Sequence, residues 1–200
     1  MSKSAIERIA IFCGAFRGKH PAYCQTAEVL ADIFCNEKIT LIYGGAKIGI
    51  MGAMADRMLQ GGGQVIGIIP HALVALEVAH NNLHKLHSVD SMHQRKWLMS
   101  ELADGFIMLP GGIGSLDEFF EIYTWAKLGH HNKPCGILNV NGYYDQLLKF
   151  LDQMVAEGFL DKIHREMIIV HESPELLLQA FKNYTPPATP YAEMVRLAQK

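Results

Sequence analysis

The chain has 200 residues, 50% of them hydrophobic and 19% charged, which is enough to bury one core of ordinary size and too apolar for a disordered chain. A formal net charge of −2 without a basic block argues against a dedicated nucleic-acid binder, and 18 glycines without a repeat period exclude a collagen-like chain and point to many tight turns. The first residues, Met1–Arg8, hold no apolar signal-peptide core, and no apolar run approaches the roughly 20 residues of a membrane helix, so the expected location is the cytoplasm, with no membrane partner.

In chain order, Arg8–Cys13 reads as a buried strand followed by Gly14, and Tyr23–Phe34 has helical apolar spacing at Ala27, Leu30, Ala31 and Phe34. Ile39–Tyr43 is a second strand ending in Gly44-Gly45, Met51–Gln60 a helix stopped by Gly61-Gly62-Gly63, and Gln64–Ile69 a third strand closed by Pro70. Lys85–Val89 is a weaker strand, Ser91–Leu102 a helix, and Gly105–Leu109 a strand running into Pro110-Gly111-Gly112. Leu116–Leu128 reads as a helix, Cys135–Leu138 as a strand, Tyr143–Ala156 as a helix, Met167–Val170 as the last strand and Pro174–Phe181 as the last helix. Continuous apolar strands alternating with helices predict α/β architecture, a doubly wound parallel sheet with helices on both faces. No linker or repeat divides it. The expectation is one domain over residues 1–184 and a proline-containing tail over 185–200.

Cys13, Cys24, Cys35 and Cys135 form no C-x-x-C pair and read as reduced, buried thiols. The histidines lack zinc spacing, so no metal is expected.

Ligands of such sheets bind beyond the carboxyl ends of the strands, and Gly14, Gly44-Gly45, Gly111-Gly112 and, less clearly, Gly67 fall there. The sharpest segment is Leu109-Pro110-Gly111-Gly112-Ile113-Gly114-Ser115-Leu116-Asp117-Glu118: strand, glycine loop, helix start. Unpaired N–H groups at a helix start attract anions such as phosphate. The segment lacks the Gly-Lys-Ser/Thr of a P-loop, and Asp117 holds the place of the third glycine of a dinucleotide fingerprint. Ser115 and Glu118 also spell S-x-x-E, so Glu118 reads either as half of a capping box or as a first-turn carboxylate, kept anionic by the helix dipole and suited to act as a base or to stabilise positive charge. A nearby cation is expected to offset its repulsion of a bound phosphate. Arg95 and Lys96 adjoin an apolar stripe of Met92, Met99 and Leu102. They read either as snorkelling side chains at a helix edge or as an anion site. Lys47 and Lys96 are the two lysines considered for a pyridoxal-phosphate Schiff base.

Met92-His93-Gln94-Arg95-Lys96 resembles the M-H-x-R-K segment, and Pro110–Glu118 the P-G-G-x-G-T-x-x-E segment, of the LOG ("Lonely Guy") family, which cleaves the N-glycosidic bond of purine nucleoside 5′-monophosphates, cytokinin nucleotides among them. Cys13-Gly14, Tyr43-Gly44-Gly45, Met51-Gly52, Thr124–Gly129 and Leu138–Tyr144 match further landmarks, so the resemblance runs from about Ile9 to Pro187. It implies a Rossmann-like fold, a homodimer or larger homo-oligomer, no redox cofactor, and Arg95 and Glu118 as the catalytic pair. It places Glu77, Lys96, Gly112, Ile113, Gly114, Ser115, Leu116, Asp117 and Thr124 at nucleotide-binding positions. Ser115 stands where Thr is common, Asp117 replaces Glu, Ala15-Phe16-Arg17 departs from the family's serines, and Gly44-Gly45-Ala46 lacks a third glycine. Two other functions are kept beside the glycosidase: a non-catalytic nucleotide or molybdenum-cofactor carrier, and a pyridoxal-phosphate decarboxylase. A helix Leu116–Leu128 bearing Phe119, Phe120, Tyr123 and Trp125 exposes more apolar surface than one face buries, which predicts a subunit contact there.

Overall fold

The computed structural model of the protein describes residues 6–74 and 79–187. Seven strands form one parallel sheet: β1 (Arg8–Phe12), β2 (Thr40–Tyr43), β3 (Val65–Pro70), β4 (Lys85–Val89), β5 (Gly105–Met108), β6 (Cys135–Leu138) and β7 (Ile168–His171), in the order β4-β3-β2-β1-β5-β6-β7. The helices are α1 (Ala22–Glu37), α2 (Gly49–Gln60), the short α3 (His71–Val74), α4 (Met92–Leu102), α5 (Ile113–Lys127), α6 (Asp145–Ala156), the short α7 (Lys162–Arg165) and α8 (Pro174–Asn183).

Period-two alternation along the central strands divides the core between the two faces. Ile9, Ile11 and Cys13 pack with Leu30 and Phe34 of α1, Met54 and Met58 of α2, and Leu177 and Phe181 of α8. Ala10 and Phe12 pack on the opposite face with Met99 of α4, Phe119 and Ile122 of α5, and Leu151 of α6. Both faces are covered, so the strands carry no polar side, as parallel pairing through helical crossovers requires. β4 is the exception: it lies at an edge and exposes Lys85, Leu86 and Ser88, which accounts for its weaker sequence signal. Among the described residues no helix is long and apolar enough to cross a membrane.

Every expected helix is found with an end shifted by one to three residues, and two of the shifts have a clear local cause. α5 starts at Ile113, three residues before Leu116, because Gly112 is extended (φ −96°, ψ −158°) and serves as its N-cap. The helix expected from Tyr143 starts at Asp145, after a single 3₁₀ turn at Val140–Gly142 that contains Asn141 in the left-handed conformation (φ 54°).

Strand order reverses between β1 and β5, so connections on either side of that pair run away from each other and leave a crevice at their carboxyl ends. The register Phe12↔Met108 brings both strands to the same height. The Gly14 N–H then donates to Pro110 O (3.1 Å) and the Ile50 N–H to Gly14 O (3.0 Å), tying three loops into one floor.

Candidate active site

Above that floor is a cavity of about 580 Å³, walled by the loop after β1 (Cys13–Phe16), Gly44, Met51, Ile69, Leu73, Met92, the Pro110–Ser115 loop and Tyr143. Arg95 and Glu118 are the only charged side chains among its described lining residues.

α5 delivers Glu118. With Gly112 as N-cap, Ser115 is the third helical residue and Glu118 the sixth. The capping box therefore does not form, because its serine would have to be the cap itself. A related arrangement forms at the start of α4: the cap Ser91 accepts through Oγ from the Gln94 N–H (3.1 Å), and Gln94 Oε1 accepts from the N–H of Asp90, the residue before the cap (2.8 Å). The expected depression of the Glu118 pKa by the helix dipole is also overturned, since that field fades beyond the first turn. Burial instead pushes the Glu118 carboxyl above the ordinary Glu value, and the Arg95 guanidinium pulls part of the way back.

α4 delivers Arg95. Its buried face is Arg95, Lys96, Met99 and Ser100, with Met92 exposed toward the cavity. Arg95 and Lys96 are 7% and 5% exposed, so neither snorkels at a helix edge. Two buried cations on one helix need partners, and α5 supplies three carboxylates. Arg95 Nη1 donates to Glu118 Oε1 at 2.6 Å, and its Nε donates to Ile68 O at 3.0 Å. Lys96 Nζ lies 3.0 Å from Asp117 Oδ2 and 2.7 Å from Glu121 Oε2. Burial works against the lysine charge, but Glu121 and Asp117 outweigh it and hold Lys96 above the ordinary lysine value.

The structure thus brings Arg95, Gly112, Ile113, Gly114, Ser115 and Glu118 to one cavity and leaves Lys96, Leu116, Asp117 and Thr124 off its wall. The reason is helical geometry: neighbouring residues lie 100° apart, so Asp117 cannot share the inward face of Glu118. Thr124 is exposed, and its hydroxyl donates to Phe120 O (2.6 Å). Glu77 lies outside the described residues. Neither Lys47 nor Lys96 lines the cavity.

The glycine loop is braced from outside. Tyr143 Oη donates to Gly111 O (2.7 Å) and Tyr144 Oη to Leu109 O (2.9 Å). A Cβ at Gly111 would crowd the Ser115 side chain and stand 2.9 Å from Gly14 N, so the two loops can meet only at glycine. A Cβ on Gly112 or Gly114 would touch nothing within 4 Å, so the space above them is open to a ligand. The N–H groups of Ile113 and Gly114 head α5 without intrahelical acceptors. Cys13 also lines the wall, but burial and the Glu118 charge push its thiol far up, so it stays neutral and is no nucleophile.

Sequence reasoning missed two members of this site. The Ile68 carbonyl that anchors Arg95 has no side-chain signature at all. Tyr143 reads in the sequence only as the first residue of a helix and as part of the Leu138–Tyr144 landmark, with no role at the cavity.

Residues 51–181 match the family described as possible lysine decarboxylase. A cytokinin riboside 5′-monophosphate phosphoribohydrolase of Rhodococcoides fascians is 45% identical over 88% of this chain and 89% of its own length. An Arabidopsis thaliana protein of the same name, LOG3, is 42% identical over 93% of this chain and 86% of its own. Among solved structures, a molybdenum cofactor binding protein from Rippkaea orientalis superposes with a TM-score of 0.68 at 18% identity, covering 90% of this chain and 98% of that one. A Moco carrier protein from Chlamydomonas reinhardtii reaches 0.67 at 14%, covering 90% and 97%. Likeness at that level of identity is likeness of fold.

Proposed function

This chain belongs to the family described as possible lysine decarboxylase, and within it to the LOG phosphoribohydrolases, and on that premise we propose that it hydrolyses the N-glycosidic bond of purine nucleoside 5′-monophosphates to free base and ribose 5-phosphate. The observation that carries the reading is the buried Arg95–Glu118 pair set one helical turn inward from a glycine-rich helix start, in a single cavity.

The phosphate binds the N–H groups at the head of α5, where the dipole favours an anion. From Gly114 to Glu118 the helix rises about 6 Å, which places the carboxylate where the ribose of a nucleotide anchored by that phosphate would lie. Cleavage builds oxocarbenium-like positive charge on the sugar. Glu118 as the anion stabilises that charge and orients the attacking water. Arg95 keeps Glu118 ionised in a buried wall, offsets its repulsion of the phosphate, and assists the departing base. The apolar wall of Phe16, Met51, Ile69, Leu73 and Met92 supports a base with an apolar substituent; the relatives are named for cytokinin riboside 5′-monophosphates.

The family description suggests a pyridoxal phosphate, but the residues do not fit one, because no lysine lines the cavity among the described residues. Residues 1–184 act as one Rossmann-like unit, which the single seven-stranded sheet supports; most of the tail 185–200 lies outside the described residues. The enzyme works in the cytoplasm as a homodimer or larger homo-oligomer. The free cysteines support that compartment, although only Cys13 and Cys135 are buried as expected, with Cys24 and Cys35 half-buried on α1. The aromatic surface expected on α5 is not exposed: Phe119 and Tyr123 are buried, and Phe120 and Trp125 pack against the core; Trp97 of α4 and Leu128 just past α5, 55% and 45% exposed, support a subunit contact instead.

Incubating the protein with AMP and with isopentenyl-AMP, and following free base and ribose 5-phosphate by chromatography, tests the reading. Tight retention of nucleotide without release of base would overturn hydrolysis in favour of a carrier.

A further inference from the structure

Gly44 follows the last residue of β2 at the cavity wall, next to the Arg95 guanidinium. Its backbone does not need glycine: its φ lies outside the left-handed region, whereas Gly45, with φ +74°, carries the turn. The constraint at Gly44 is space. A Cβ there would overlap Arg95 Nη2, approach Cζ to 3.2 Å and stand 3.0 Å from Met51 Sδ. Arg95 cannot yield freely. Its Nε is held by Ile68 O at 3.0 Å and its Nη1 by Glu118 at 2.6 Å, with Met92 Sδ at 3.7 Å beyond Nη1. Nη2, the nitrogen that lies against Gly44, has no acceptor among the described residues. The guanidinium therefore occupies a slot with a carbonyl and a carboxylate at two corners, thioethers beside it, and the bare Cα of Gly44 as its remaining wall.

We propose that Gly44 is a positioning residue: the missing side chain opens the slot in which Arg95 lies flat, and this fixes the Arg95–Glu118 geometry and keeps Nη2 at the cavity for the substrate. The catalytic part of this rests on the phosphoribohydrolase reading; the positioning part does not. A methyl group at this position drives the guanidinium outward by a distance on the order of 1 Å, and misplacement on that scale costs about 10² in rate.

The test is a double-substitution cycle on base release from AMP. Gly44→Ala is expected to lower kcat about 100-fold with less than a threefold change in KM. Arg95→Lys is impaired by itself, but its side chain has no Nη2 to collide, so adding Gly44→Ala to it should cost less than threefold more. A merely structural role would give the same loss in both backgrounds. An equal loss in both, or a near-normal kcat for Gly44→Ala alone, overturns the proposal. The positioning claim has a readout independent of turnover: the buried Arg95 Nε–H bonded to Ile68 O should give a protected side-chain ¹⁵N signal in the wild-type protein and lose its protection in Gly44→Ala. If the wild-type protein releases no base, the hydrolase reading fails. The NMR result then decides the slot alone, and an unchanged Nε–H signal rejects it.

Discussion

Replacing Glu118 by Gln removes one negative charge from the cavity wall while keeping an oxygen that can accept the 2.6 Å hydrogen bond from Arg95 Nη1. Two losses follow, in different assays. The guanidinium, 7% exposed, loses its counter-charge, and breaking a buried pair costs about 3–5 kcal/mol. Relief of the carboxylate's own burial penalty, the same effect that raises its pKa, brings the net cost to about 3 kcal/mol. For a chain of this length that lowers Tm by about 6–12 °C, so the variant is still folded at 25 °C. The loss in the reaction is of comparable size but appears in a different measurement. A preorganised charge aimed at charge developing in the transition state contributes about 10² to 10³ in rate, or about 2.7–4 kcal/mol. Single-turnover release of adenine from AMP, measured at 25 °C on the folded variant, separates the two. Base release within threefold of wild type, with Tm lowered, would show that Glu118 is only Arg95's structural partner and refute the mechanism. The pH profile adds a second check. Activity needs the carboxylate, so kcat/KM of the wild-type enzyme falls as pH drops through a pKa above the ordinary Glu value of 4.5, and that limb disappears in Glu118→Gln. The linkage to stability has the opposite sense. Between 4.5 and the raised folded-state pKa the native protein holds the proton more tightly, so this group's contribution to stability is lost as pH rises through that window.

His131 is the converse case: its ring lies on Phe106, Nε2 donates to Ile122 O (3.0 Å), Nδ1 accepts from the Lys133 N–H (3.2 Å), and burial lowers its pKa to about 4. The unfolded chain takes up this proton first, so stability falls as pH drops from about 6.5 toward 4, and urea midpoints for His131→Gln should show a shallower acid slope than wild type. Lys96→Met leaves Asp117 and Glu121, one turn apart on α5, without the cation they share across the α4–α5 seam. Because both carboxylates reach solvent in part, the expected loss is about 1–3 kcal/mol, read by thermal unfolding, with KM for AMP nearly unchanged; a raised KM at unaltered stability would assign Lys96 to the nucleotide. Tyr143→Phe removes the 2.7 Å hydrogen bond to Gly111 O and slackens the loop that holds the phosphate, so steady-state kinetics should show KM up about fivefold, equivalent to about 1 kcal/mol, with kcat preserved.

The sequence by itself determined the layered architecture and the neighbourhood of the chemistry. Strands such as Ala10–Phe12 and Phe106–Met108 are apolar on both faces, which only a covered parallel sheet satisfies, and the Pro110–Glu118 segment announces a strand end, a glycine loop and a helix in nine residues. These are local signals, carried by side-chain periodicity and backbone permissiveness within a short window. Helix phase was not local in this sense. Whether α5 began at Ile113 or Leu116 depended on Gly112 taking an extended conformation just after Gly111, which Gly14 and Tyr143 hold in place, and that choice decided that Glu118 faces Arg95 in place of serving a cap, and that Asp117 turns outward to Lys96. Arg95 and Lys96 look alike as adjacent cations in the sequence. Tertiary structure separated them, because a buried charge goes where a carboxylate and a free carbonyl can meet it, and those partners, Glu118 and Ile68, come from 23 and 27 residues away.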